Sequence, residues 1–219
     1  MIPLRDVIPS RRLPVFTVGI IVLNTLAFLY ELSVPEEYRE MFFRLYAVVP
    51  ALFNWPSVFT SMFLHAGWLH FLGNMLYLWI FGDNVEDRLG HVRFVIFYLL
   101  CGAVAAVAHA AINPSSTVPT IGASGAIAGV MGAYFVLFPH SRILALVPLF
   151  FYMEIIEVPA LLFLGFWFIM QFFSGIGSLA VSGDVQSGGV AFWAHVAGFV
   201  AGIVGVAVFR IRKSQAEWS

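Results

Sequence analysis

From Phe94 to Ser141 the chain runs for 48 residues without a single Asp, Glu, Lys or Arg. No soluble fold tolerates this, because a water-facing surface needs charged side chains at short intervals. A lipid bilayer does: its hydrocarbon core is about 30 Å thick and takes about 20 apolar residues as a helix. The run is therefore long enough to cross twice. The break between the two crossings falls at Asn113, Pro114, Ser115, Ser116, Thr117, Val118 and Pro119, a strong turn signal. The whole chain agrees, with 61% hydrophobic and 11% charged residues where soluble domains are nearer half and a quarter.

The remaining charges divide the rest. Leu13 to Tyr30 carries none, and the chain after it lacks a good signal-peptide cleavage site, so 13–31 is read as a retained first span. Residues 31–44 mix Glu31, Glu36, Glu37, Arg39, Glu40 and Arg44 with aromatics and read as an interfacial segment. Spans are expected at about 13–31, 66–82, 94–112, 124–138, 158–180 and 190–209. The apolar residues 143–157, flanked by Glu154 and Glu157, are too short to cross and are placed at the interface. The fold class is thus an all-α integral membrane protein, a six-helix bundle with an interfacial loop between helices one and two. Six spans put nine Lys and Arg on one side, with only Arg39 and Arg44 on the other, as the positive-inside rule requires.

A net charge of −1 argues against a nucleic-acid partner. Cys101 is the only cysteine, so an internal disulfide is excluded. A channel or transporter would call for midplane carboxylates or repeated broken helices, and the sequence offers neither.

Polar side chains inside spans are costly and mark function by default. His70 and Asn74 on the second span, Ser124 on the fourth and His195 on the sixth stand out. Ser124 lies 15 residues before Pro139, and His195 lies 15 before Arg210. Both are then roughly 22 Å above the inner boundary, with His70 at about 20 Å, from a rise of 1.5 Å per residue. The fourth span is short, so it must begin below the outer surface. The loop 113–123 then dips in to meet it, which is tolerated only around a wet or protein-lined cavity.

Serine becomes nucleophilic when a neighbouring base takes its proton. Ser124 opens a helix, where unpaired N–H groups and the positive dipole end can hold an oxyanion. Gly122 and Gly125 permit close approach around it. Without His195, Ser124 would read as a serine bonded back to its own helix. Gly198 and Gly202 lie on the His195 face, and such small-residue stripes let membrane helices pack closely. His195 is the candidate general base, and His70 and Asn74, one turn apart, are candidate oxyanion donors. His65, nearer the rim and about 140° around an assumed helix from His70, takes a supporting, structural role. A metal site from His65, His70 and His195 is the competing reading, but it has no His-Glu-x-x-His motif or nearby carboxylate. With no Asp or Glu at this depth, a Ser-His dyad is expected rather than a triad.

These residues resemble the rhomboid family of intramembrane serine proteases. The matching pieces are His65-x4-His70-x3-Asn74, Glu86-x-Arg88, Gly122-Ala123-Ser124-Gly125 and Ala194-His195-x2-Gly198-x3-Gly202. The resemblance implies one domain over 1–219 with its core at about 60–210. It implies Ser124 as nucleophile, His195 as general base, and an oxyanion hole from His70, Asn74 and the Ser124 N–H. It implies cleavage of other proteins' transmembrane segments, lateral substrate entry near helices two and five, and no metal or cofactor. Partners would be transmembrane substrates and the lipid bilayer, in a bacterial cytoplasmic membrane with both termini cytoplasmic. A non-catalytic rhomboid-like binder of membrane helices is the alternative, marked by loss of the serine or histidine, and both are present. Two family features are missing. There is no Trp-Arg pair in the first loop (31–60). Ala128 stands where some members place a tyrosine against the catalytic histidine, leaving Phe199 or Phe135 as candidate aromatic walls.

Overall fold

The computed structural model describes residues 1–149, 152–180 and 191–209. The polar loop 182–189 and the basic residues Arg210, Arg212 and Lys213 lie outside the described residues. Within the described residues eight α-helices carry the membrane body: α1 (Val15–Ser33), α2 (Glu36–Tyr46), α3 (Trp55–Thr60), α4 (Trp68–Leu89), α5 (His91–Ile112), α6 (Ser124–Leu137), α7 (Ala160–Ala180) and α8 (Phe192–Phe209). Among the described residues four of them, α1, α5, α7 and α8, are long and apolar enough to cross a membrane, and α6 is a shorter apolar helix. Their outward faces carry exposed Leu, Val, Ile and Phe side chains, such as Leu26, Val104, Phe173 and Val204. Such a surface belongs in lipid.

The short helix α6 is the centre of the bundle. Every residue from Gly125 to Tyr134 is buried, as expected of a helix that is apolar all round. It is packed by α4, α5, α7 and α8. At 14 residues it spans only about 21 Å, less than the hydrocarbon core. The loop that precedes it finds its backbone partners inside the protein. Val48 and Thr120 exchange two hydrogen bonds (3.1 and 2.8 Å), the Ala51 N–H donates to Ser116 O (2.9 Å), and the Gly122 N–H donates to Ser61 O (2.8 Å).

Glycine determines how close α8 comes. A methyl group on Gly198 would overlap the Gly125 carbonyl, and one on Gly202 would stand 2.8 Å from the Gly129 Cα. The two backbones touch, so dispersion and close packing can operate where the hydrophobic effect cannot.

The all-α expectation needs one correction. The segment that follows α6, too short and too charged to cross, forms strands and not helix. Strands β2 (Arg142–Leu149) and β3 (Tyr152–Pro159) pair antiparallel, and β1 (Ile2–Asp6) adds to the free edge of β2. Short apolar runs rich in β-branched residues are ambiguous by periodicity alone, and the partner strand lies far away in sequence. The sheet is tied to the bundle through Asp6. Its carboxylate accepts from Tyr134 Oη on α6 (2.7 Å) and Asn84 Nδ2 on α4 (2.8 Å). At the same end, buried Glu86 accepts from the Phe16 and Thr17 N–H groups (3.0 and 2.7 Å). A carboxylate there complements the positive end of α1.

Candidate active site

Ser124 is the first residue of α6. The first helical hydrogen bond runs from the Ile127 N–H to Ala123 O (3.0 Å). The N–H groups of Ser124, Gly125 and Ala126 precede it and have no partner within the helix. Gly122 just before has φ +122°, a conformation that residues with a Cβ rarely adopt. This turn is what sends the preceding loop into α6 with Ser124 at its head.

The α6–α8 glycine contact then sets the distance between two side chains. Ser124 Oγ lies 2.7 Å from His195 Nε2, and the imidazole is buried, 8% exposed. His195 Nδ1 lies 2.7 Å from Gln171 Oε1 on α7. The Trp167 ring, one turn earlier on α7, lies against the imidazole with centroids 5.7 Å apart. Among the described residues, Trp167 occupies the position for which the sequence offers Phe199 or Phe135. Those two pack on each other (5.8 Å), and Phe199 also meets Phe168 (4.9 Å).

His70 and Asn74 point from α4 toward the same turn. A carbon added to Gly122 would stand 2.8 Å from His70 Nε2 and 3.6 Å from Asn74 Nδ2. The Ala66 N–H donates to His70 Nδ1 (3.3 Å), so in the neutral ring the proton sits on Nε2, the nitrogen facing the site. Asn74 Nδ2 is buried with no hydrogen-bond partner among the described residues. Two side-chain donors thus stand beside the free N–H groups of α6. A cavity of about 30 Å³ adjoins the head of α6 on its α5 side, lined by Thr120, Gly122, Ser124, Gly125, Ala105 and Ala194 among others. It has room for about two waters.

His65 sits elsewhere. Helix α4 begins only at Trp68, so an angle counted around a helix does not apply to it. Its backbone N–H donates to Glu31 Oε2 (2.9 Å), and its fully buried ring meets Phe71, Phe28 and His70 edge-on. It backs His70 rather than facing Ser124.

The sequence reading passes over Gln171 and Trp167. Yet the polar-residue criterion reaches Gln171, the only amide side chain in α7. It lies 12 residues beyond Pro159, about 18 Å up the helix, close to the level of Ser124 and His195.

Together these features define a multi-pass integral membrane protein with a serine–histidine pair at the head of a buried central helix. Comparison with known proteins gives the family: the Rhomboid domain model matches residues 52–212, and the chain belongs to the rhomboid family. It is 30% identical over 152 residues to Rhomboid protein 1, mitochondrial, of Saccharomyces cerevisiae, covering 68% of this chain and 40% of that protein. It is 39% identical over 80 residues to Rhomboid protease GluP of Bacillus subtilis, covering 36% of this chain and 15% of that one. It is 36% identical over 86 residues to Rhomboid-like protein 11, chloroplastic, of Arabidopsis thaliana, covering 39% and 29%. The matches therefore span well under half the length of each relative.

Proposed function

We propose that this protein is an intramembrane serine endopeptidase that cuts transmembrane segments of other membrane proteins with a Ser124–His195 dyad. The observation that carries the reading is the 2.7 Å separation of Ser124 Oγ and His195 Nε2, inside general-base reach. His195 Nε2 takes the hydroxyl proton as Oγ attacks the scissile carbonyl carbon. The carbonyl electron pair moves onto oxygen. His70 Nε2–H, Asn74 Nδ2 and the Ser124 N–H hold the resulting oxyanion, where each such donor is worth about 10²–10³ in rate. Collapse breaks the C–N bond, and the leaving amine takes its proton from His195. Water then enters through the cavity over Ser124, gives a proton to His195, attacks the acyl carbon and releases the acid as the proton returns to Ser124 Oγ. No metal or cofactor takes part.

In this reading α1, α4, α5, α6, α7 and α8 are six crossings, with α4 crossing from Trp68 to about residue 82. Both termini lie on the Arg-rich side, the cytoplasmic side of a bacterial membrane. Substrates enter from the lipid beside α4 and α7. The protein named Rhomboid protease GluP among its relatives supports the enzymatic reading.

The test is reconstitution in liposomes with a single-pass substrate, comparing wild type with Ser124→Ala and His195→Ala. Cleavage by wild type alone is expected. Equal cleavage by all three would sink the dyad. Capture of substrate without cleavage by any of them would make the protein a binder of membrane helices.

A further inference from the structure

A dyad has an unmet requirement. For Nε2 to receive the serine proton, the neutral imidazole must carry its own proton on Nδ1, and something must hold it there. No carboxylate reaches His195 among the described residues, and Ala128 on α6 offers no group to do it. We infer that Gln171 is the positioning residue of His195, its Oε1 accepting the Nδ1–H and fixing the tautomer and the ring plane. This rests on the dyad reading above.

The distance is 2.7 Å, that of a good hydrogen bond. The local fold explains how α7 delivers it. Trp167, Gln171 and Gly175 follow at four-residue intervals and so share one face of α7. All three meet α8. Trp167 lies against His195, Gln171 bonds it, and Gly175 lies under Trp193, where an added carbon would stand 3.0 Å from Trp193 Cε2. The glycine lets α7 approach α8 closely enough for a side chain of glutamine length to span the gap. Trp167 then closes the ring's face, so the imidazole has little freedom to rotate.

The proton balance gives Gln171 a specific share in the chemistry. When Ser124 gives its proton to Nε2, the imidazolium carries a proton on each nitrogen. The Nδ1–H remains bonded to the neutral Gln171 Oε1, which stabilises the cation less than a carboxylate would. Without the acceptor, the ring can hold its proton on Nε2 instead. That tautomer presents a donor to Ser124 and cannot take its proton.

A polar side chain between membrane helices is also simple glue, worth little more than one hydrogen bond. The experiment must separate glue from tautomer control. Purified protein in detergent is treated with a fluorophosphonate, which labels an activated serine without any substrate, and the rate is followed from pH 5 to pH 9. Ser124→Ala is the blank, and His195→Ala shows the rate without a base. Gln171→Met, similar in volume and lacking the acceptor, is expected to label about tenfold more slowly than wild type at neutral pH, the worth of one good hydrogen bond. Gln171→Glu restores an acceptor and adds charge. It is expected to recover most of the rate, with the acid limb of its profile moved to higher pH because a carboxylate favours the imidazolium.

Gln171→Met labelling at the wild-type rate would overturn the assignment. So would a Gln171→Glu variant labelling no faster than Gln171→Met, since a glutamine that donated its N–H to Nδ1 cannot be replaced by an acceptor. If Gln171→Met folds poorly, the Gln171→Glu profile decides alone, and superposition on wild type counts against the proposal. Labelling of wild type no faster than His195→Ala would instead remove the dyad, and this inference with it.

Discussion

Gly122→Ala tests how the loop and the proposed oxyanion donors depend on one another. The substitution adds one methyl group and has two consequences. At φ +122° a residue with a Cβ is strained, at a cost of about 1–3 kcal/mol. The new carbon also stands 2.8 Å from both Cε1 and Nε2 of His70, about 0.7 Å inside ordinary van der Waals contact. The imidazole must retreat or the turn must open. Either change moves a donor away from the oxyanion position or shifts the head of α6. Complete loss of one donor costs about 10²–10³ in rate, so partial displacement should cost about 10–100-fold. Melting in detergent reads the strain, and cleavage of a single-pass substrate in liposomes reads the displacement.

His70→Ala separates the two consequences, because it removes the donor and leaves the turn alone. If the methyl acts through His70, adding Gly122→Ala to His70→Ala should cost little further activity, while the loss of stability remains. Such non-additivity is expected of groups in contact. A Gly122→Ala variant that melts and cleaves as wild type would show that neither the strain nor the clash matters. Full additivity in the double variant would show that the methyl acts on Ser124 and not through the imidazole.

Two further outcomes follow from the packing and the charges. Gly202→Ala, whose methyl would have Gly129 backbone atoms as its three nearest neighbours, should force α6 and α8 apart, cost about 1–3 kcal/mol and lower cleavage with it. Gly73→Ala, with nothing within 4 Å, should be neutral or gain up to about 1 kcal/mol from helix propensity, and equal losses in both would remove the close-contact argument. At the strand end of the molecule, burial raises the Asp83 carboxyl to about 6, with the Asp6 charge adding to the rise, and burial also raises Asp6 itself. A carboxyl raised in the folded state binds more protons folded than unfolded, so its contribution to stability is present at low pH and lost as pH rises from about 4 through 6. Melting curves of wild type and Asp83→Asn should therefore diverge over that range, with the wild type losing more; parallel curves would contradict it.

Much of this protein is legible in its residues alone because the bilayer reduces the problem to one dimension. Charge-free stretches mark where lipid must be the solvent, and counting residues from a charged boundary gives depth. That is enough to put Ser124, His195 and His70 at a common level. It also shows that a helix as short as α6 must start below the surface. The glycines announce close packing because they have no other use on an apolar helix face.

Depth says nothing about lateral neighbours, which emerge only when the helices pack. The 2.7 Å contact between Ser124 and His195 exists because Gly198 and Gly202 lie on the backbone of Gly125 and Gly129, and not on another helix. Gln171 reaches His195 from α7 for the same kind of reason, through Gly175 under Trp193. The register of one helix against another is a property of the packed surface, not of either sequence. The sheet formed by the expected interfacial segment shows the same limit. Its first strand, Ile2–Asp6, pairs with Ile143–Leu146 across most of the chain, and a short apolar run carries no mark of a partner so distant.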